Sequence, residues 1–278
     1  MNVALRAVQP SADMESVATA PIANKADIAR AFGAASATYE GASRLQRMMG
    51  DAMVKKLADE RHSPASVLDL GCGTGWFSRV LSQVPCVKDV TGVDLSAGMV
   101  EQARQQGGAQ LSWLVADAER LPFPDQSFDI VFSNLMIQWC SDPRPVLRQC
   151  RRLLKPGGQL MISTLLDGTL RELKTAWAQA DPGRPHINRF ESGERLADLV
   201  DRELPGAQIT RRTITLPYRS PLALTGELKQ LGAGFKSDAR RKTLTGPGRV
   251  RAMCQAYPTH ANGTVSASYE AAWIYWRP

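Results

Sequence analysis

The residues most able to do chemistry lie in one stretch, Val67-Leu68-Asp69-Leu70-Gly71-Cys72-Gly73-Thr74-Gly75. An apolar run ends in three alternate glycines, and an acid stands two residues before the first of them. Glycine at such positions lets the backbone turn sharply and lets a ligand approach it closely. The spacing is G-x-G-x-G, not the G-x-G-x-x-G of dinucleotide binders. A second acid, Asp94, ends the next apolar run, and a third, Asp117, ends the one after that. Taken singly, each aspartate reads as an ordinary loop carboxylate. Three of them at successive strand ends, beside a glycine turn, suit a nucleoside-like ligand with hydroxyls and a cationic end. Asp94 is placed to grip two ribose hydroxyls. A pyrophosphate suits the pattern less well, because it needs the longer glycine spacing and no flanking acids.

An alternation of strand and helix positions these residues. Strands are expected at Ser66–Leu70, Val90–Leu95, Leu111–Ala116, Phe128–Ser133 and Gln159–Leu165. Helices are expected at Trp76–Ser82, at Ser96–Gln106 with Ser96 as N-cap, and at Pro143–Leu154 with Pro145 in its first turn. Lys155-Pro156-Gly157-Gly158 reads as a turn. Such alternation implies a parallel sheet covered on both faces, with ligands beyond the carboxyl ends of the strands.

Residues 1–24 have no clean period and read as a flexible extension. A helical pattern starts at Lys25, with Ile28, Ala31 and Phe32 on one face. A second stripe follows through Leu45, Met48, Met49, Ala52, Met53 and Leu57. After Leu166 the pattern loosens. Arg171–Ala180, Glu191–Val200 and Leu222–Lys229 look helical; Gln208–Leu216 and Tyr269–Trp276 look like strands. The expected organisation is one domain, 25–278, with a helical lid insertion at about 221–257 between the last two strands.

Composition narrows the class. Of 278 residues 44% are hydrophobic and 22% charged, which excludes a mostly disordered chain. No apolar run approaches the length of a membrane span. The first residues lack a signal-peptide core, so a cytoplasmic protein is expected. The five cysteines, Cys72, Cys86, Cys140, Cys150 and Cys254, form no C-x-x-C and read as reduced thiols. The three histidines are scattered, so no metal site is expected. Lys plus Arg is 34 against 27 for Asp plus Glu, a formal +7. That charge suits an acidic partner, and equally it serves solubility alone.

The segment from Ser66 to Thr164 resembles the class I S-adenosylmethionine-dependent methyltransferases. Asp69–Gly75 looks like their first motif, Asp94 like the ribose-binding acid and Asp117 like the acid near the adenine. Leu121–Asp129 is similar to their loop into strand four, and Arg152–Gly158 to their turn before strand five. The resemblance implies a Rossmann-like α/β fold with a seven-stranded, mostly parallel sheet and helices on both faces. It implies S-adenosyl-L-methionine as cofactor, held by Asp69, Gly71, Gly73, Gly75, Asp94, Leu95, Met99, Asp117, Ala118 and Asn134.

Four further segments are similar to the malonyl-[acyl-carrier-protein] O-methyltransferases of biotin synthesis: Ala31–Glu40, Ser133–Cys140, Pro185–Phe190 and Leu228–Ala233. The long N-terminal extension departs from that pattern. The resemblance implies methyl transfer to the free carboxylate of a malonyl thioester carried by acyl carrier protein on its phosphopantetheine arm. An arginine is the natural reader of that carboxylate. Arg189 is the first candidate, with Arg184 and Arg171 as rivals; a surface residue or an internal ion pair is the plainer alternative. Tyr39 is expected to orient the substrate or the methionine end, and Trp139 to wall the pocket, though either could simply pack in the core. Gln138 follows the same strand, and His186 is either a substrate hydrogen bonder or a satisfied structural histidine. Lys229, Lys236, Arg240, Arg241, Lys242, Arg249 and Arg251 give the lid a basic outer side suited to an acidic carrier, or merely a solvated face.

Other classes remain open at the level of residues. A methyltransferase of RNA, DNA bases, a quinone or a small acid shares the cofactor motif. The Ser133-Asn134-Leu135-Met136 run lacks the Asn/Asp-Pro-Pro-aromatic sequence of base N-methyltransferases, so no nucleic-acid partner is expected, nor a membrane. A nicotinamide oxidoreductase is disfavoured by the glycine spacing, and a non-catalytic binding module by the intact motif.

Overall fold

The computed structural model describes residues 24–60, 63–108, 110–234 and 246–278. The extension expected at 1–24 lies outside them, except Asn24, whose side chain accepts a hydrogen bond from Ala26 N and caps the first helix. The described residues begin with two helices, α1 (Lys25–Ala42) and α2 (Arg44–Glu60). Strand and helix then alternate through β1 (Ala65–Leu70), α3 (Trp76–Ser82), β2 (Val87–Asp94), α4 (Ala97–Gln106), β3 (Leu111–Val115), β4 (Phe128–Asn134), α5 (Arg144–Leu153) and β5 (Leu154–Leu165). The last part holds α6 (Arg171–Ala180), α7 (Gly193–Glu203), β6 (Gln208–Tyr218), α8 (Pro221–Gln230), α9 (Pro247–Ala256) and β7 (Val265–Trp276).

The seven strands form one sheet in the order β3-β2-β1-β4-β5-β7-β6. The first five run parallel, and β7 lies antiparallel between β5 and β6. Central strands such as β4 are buried along nearly their whole length, because helices cover both faces and the apolar residues need not alternate. β6 is one of the two edge strands and carries exposed Thr and Arg along its first half. The order reverses between β1 and β4, and the crevice at that switch point opens at the carboxyl ends of the strands.

Several local features follow the expected chemistry. Ser96 caps α4, its hydroxyl accepting from Met99 N. The Lys155–Gly158 turn is instead a bulge inside β5: Leu154 pairs with Phe128, and pairing resumes only at Gln159 opposite Ile130. α7 begins at Gly193 rather than Glu191, because Ser192 accepts from Arg195 N and sets the start. The expected stripe on α2 is too wide. Leu45, Met49, Met53 and Leu57 are buried, but Met48 is 50% exposed and Ala52 is exposed too. The i, i+4 seam faces the core with Gly50 and Val54 on its other flank, and Met48 and Ala52 stand one residue, about 100° of helical turn, off the seam on the solvent side.

The first helix crosses the carboxyl end of the sheet. It packs on α4 and α8. A β-carbon at Gly98 would sit 2.9 Å from the Gly33 α-carbon, so these two glycines let α1 and α4 touch backbone to backbone. α8 and α9 lie between β6 and β7, with Leu224 and Leu231 buried; residues 235–245 between them lie outside the described residues.

The seam on α2 is open to test by urea denaturation. Met53→Ala, at a site with no exposure, should cost about 2–5 kcal/mol. Met48→Ala should stay within about 0.5 kcal/mol of wild type, and equal losses at both would contradict this register.

Candidate functional site

The glycine turn follows β1 directly. Gly71, Gly73 and Gly75 have φ of +79°, +55° and +78°, in the left-handed region that side chains resist. At Gly71 a β-carbon would strike Met136, and at Gly75 it would strike Trp113. At Gly73 it would meet nothing nearer than the Tyr39 ring at 3.9 Å, so the backbone there is left open to a ligand. Gly73 N donates to Asp94 Oδ2 at 2.9 Å, and Ser96 N donates to Asp94 Oδ1 at 2.8 Å. The end of β2 therefore grips the turn.

Asp69 is 2% exposed and accepts from Ser78 Oγ at 2.6 Å. Burial pushes its carboxyl up to about 7; the Ser78 hydrogen bond opposes this and the charge of Asp94 adds to it. Burial likewise raises Asp94, against backbone hydrogen bonds from Ser96, Gly73 and Leu95. Neither acid forms an ion pair with any described residue. The site thus concentrates poorly solvated negative charge, which favours a cation.

A cavity opens over this turn. Gly71, Gly73, Asp94, Leu95, Met99, Asp117, Ala118 and Asn134 line it, along with Tyr39 and Trp139. Asp69 and Gly75 do not line it. Asp69 stands behind the turn on Ser78, and Gly75 begins α3 with Trp113 packed beneath it. Asn134 lines the cavity with its amide engaged: Nδ2 donates to Gln46 O, and Oδ1 accepts from Ser163 Oγ.

Beside it lies a larger chamber of about 810 Å³. Four residues, Phe32, Tyr39, Leu135 and Trp139, line both spaces and form the wall between them. Trp139 meets Phe32 edge-on at 5.1 Å. Leu135 takes φ +55°, a conformation that costs roughly 1–3 kcal/mol and collects at functional sites. Burial, then the charges of Asp94 and Asp69, push the Tyr39 hydroxyl well above the usual phenol range, so it remains a proton-bearing donor.

α1 is fastened across the site at two places. Lys25 Nζ reaches Asp117 Oδ2 at 2.7 Å and Glu119 Oε2 at 2.8 Å. Burial raises Asp117, but Lys25 and the Glu119 backbone N–H together hold it below the usual range. Farther along, Glu40 Oε1 accepts from Thr74 Oγ1 at 2.8 Å and from Arg79 at 2.7 Å, tying the helix to the glycine turn. Sequence reasoning missed Lys25, Glu119, Phe32, Leu135, Met136 and Cys140 as lining residues. The last four had one usable signal, their place beside Tyr39 or just past the end of β4; Lys25 and Glu119 had none.

The three arginines stand apart from the chamber. Arg189 and Arg184 are exposed, and Arg171 is paired with Glu270 and Glu172; none lines the chamber. A guanidinium without a buried acid beside it stays in water, because desolvating it is costly. Their neighbours His186, Ile187, Asn188 and Phe190 do line it, as do Gln138 and Lys229. Of the other cations expected on the 221–257 segment, Arg249 pairs with Asp181, Arg251 is exposed, and Lys236 to Lys242 lie outside the described residues. All five cysteines are free thiols.

Comparison with known proteins adds three findings. The family described as Methyltransferase domain matches residues 68–162. The malonyl-[acyl-carrier protein] O-methyltransferase of Pseudescherichia vulneris is 37% identical over 252 residues, covering 91% of this chain and 97% of that protein. The enzyme of the same name from Yersinia pestis is 38% identical over 248 residues, covering 86% and 87%. Among solved structures, the YcgJ protein of Bacillus subtilis superposes with a TM-score of 0.59 at 22% identity, over 82% of this chain and 97% of that one, a likeness of fold alone. Among the described residues no helix is long and apolar enough to cross a membrane.

The buried acid gives a pH prediction. Asp69 is raised from 3.8 to about 7 in the fold, so the stability it contributes is complete below about pH 4 and is lost as pH rises through about 7. Thermal melts of the ligand-free protein should therefore fall between about pH 5 and 8, and Asp69→Asn should flatten that fall. An unchanged slope in the variant would remove Asp69 as its source.

Proposed function

The chain belongs to the malonyl-[acyl-carrier-protein] O-methyltransferase family, and we propose that it transfers a methyl group from S-adenosyl-L-methionine to the free carboxylate of a malonyl thioester on acyl carrier protein, an early step of biotin synthesis. The observation that carries this reading is the four-residue wall shared by the acid-bearing cavity and the larger chamber. One space suits a nucleoside with a cationic end, the other an acyl group.

The residues fit the donor. The open backbone at Gly73 and the enclosed Asp94 and Asp69 provide a cradle and a negative field for a sulfonium and an ammonium. Gly71, Gly73, Asp94, Leu95, Met99, Asp117, Ala118 and Asn134 would hold it, with Asp69 and Gly75 shaping the turn behind them. When bound, the donor supplies an electrophilic methyl group.

The chain's own work is alignment and exclusion of water. A malonyl carboxylate is already ionised at neutral pH, so no base has to remove a proton. Phe32, Leu135 and Trp139 make the wall apolar and keep the attacking oxygen poorly hydrated. Tyr39 offers the wall's hydroxyl donor and orients the substrate. Holding the reactants in near-attack geometry can supply roughly 7–11 kcal/mol of the barrier. Lys229 at the chamber, with the exposed Arg189 and Arg251 on the surface, suits an acidic carrier arriving from outside. The reading places the reaction in the cytoplasm, without nucleic acid or membrane.

Incubation with labelled donor and malonyl-, succinyl- or acetyl-carrier protein, read by mass for methyl ester, should show malonyl as the best substrate and acetyl as inert. Tyr39→Phe should slow malonyl turnover by roughly tenfold or more, the scale of a lost hydrogen bond to a charged group. Methylation of none of these thioesters would overturn the assignment.

A further inference from the structure

His186 stands between α6 and α7 and lines the chamber. Its Nε2 lies 2.9 Å from Asp181 Oδ2, and Asp181 is 7% exposed. The other carboxylate oxygen, Asp181 Oδ1, forms an ion pair with Arg249 Nε of α9 at 3.2 Å. One face of the ring stacks on Trp177 of α6, centroids 4.0 Å apart and planes 8° from parallel. The imidazole is thus fixed on one edge and one face. Its Nδ1 bonds to no described residue.

An acid on one ring nitrogen fixes the proton there, and it supports a second proton on the other nitrogen when an anion arrives. The ring then donates from both ends, to Asp181 and to the anion. Charges along the line alternate: Arg249 positive, Asp181 negative, His186 positive, ligand negative. We propose that His186, backed by Asp181 and Arg249, reads the free carboxylate of the malonyl group. This rests on the reading that the chamber takes a malonyl thioester.

The geometry suits a nucleophile better than an arginine would. A guanidinium binds both carboxylate oxygens side by side and so blunts the one that must attack. A single imidazolium N–H takes one oxygen and leaves the other to face the wall of Tyr39 and Trp139. The other titratable groups lining the chamber are Asp27, Arg30, Tyr39, Glu227, Lys229 and Tyr269. Asp27 pairs with Arg30, and Glu227 with Arg44, which leaves their charges largely cancelled.

The test uses the full chain and malonyl-carrier protein, with S-adenosylhomocysteine as a control ligand. Titration calorimetry at about pH 8, in buffers of different ionisation enthalpy, should show uptake of roughly one proton per malonyl group bound. Acetyl-carrier protein should bind with none. KM for malonyl-carrier protein should rise with pH while kcat changes little. His186→Gln should raise KM about tenfold or more, abolish proton uptake and flatten the KM profile, with the S-adenosylhomocysteine melting shift unchanged. Asp181→Asn should raise KM in the same direction. Binding of the malonyl form by wild type without proton uptake would overturn the proposal with no variant needed. So would a rise in KM for Arg189→Ala with none for His186→Gln. Binding with proton uptake but no methyl ester would keep the carboxylate reader and sink the proposed reaction instead.

Discussion

Desolvated negative charge at the end of the parallel strands is the constraint on which this molecule is built. Asp69 and Asp94 are enclosed where the sheet order reverses, with hydroxyl and backbone hydrogen bonds but no cationic partner among the described residues. Enclosed carboxylates cost free energy when ionised. The fold bears that cost because Asp94 spends its oxygens on Gly73 N and Ser96 N, which fixes the glycine turn and the start of α4 together. The same charge that weakens the empty fold favours a cationic ligand.

The first helix turns this sheet edge into two connected rooms. Glu40 ties its far end to Thr74 and Arg79, Lys25 ties its start to Asp117 and Glu119, and Gly33 lets it lie directly on α4. Phe32 and Tyr39 face the interior from between those ties and meet Leu135 and Trp139 from the end of β4. The strained backbone at Leu135 is held by its N–H to Ser163, a residue of the neighbouring strand. The apolar wall therefore depends on the two central strands keeping register.

What could be read from the sequence was local, and what could not was tertiary. The glycine turn, the strand-end acids Asp94 and Asp117, the Ser96 cap and the bounds of α3 and α6 follow from spacing within a few residues, and the structure has them there. The width of the α2 stripe was misread because burial of Met48 depends on whether another element covers it, and it is left half exposed among the described residues. Lys25 is separated from its acids by more than ninety positions, and nothing local announces the pairing. Arg189 was chosen for its charge and its place in the Pro185–Phe190 segment. The structure leaves it in water and brings its neighbour His186 to the chamber, because Asp181 and Arg249 are there to receive that ring.

β7 has a consequence for how the chain is made. It occupies an interior position of the sheet, bonded to β5 on one side and β6 on the other, and Trp273 on it donates to Met49 O in α2. Until residue 276 has left the ribosome, β5 presents an open edge and β6 has no strand beside it. The half around the glycine turn can settle before β7 emerges, but the sheet closes only once β7 has added between β5 and β6. The nascent protein therefore passes through a stage in which an apolar strand edge is exposed, and it is most open to aggregation then.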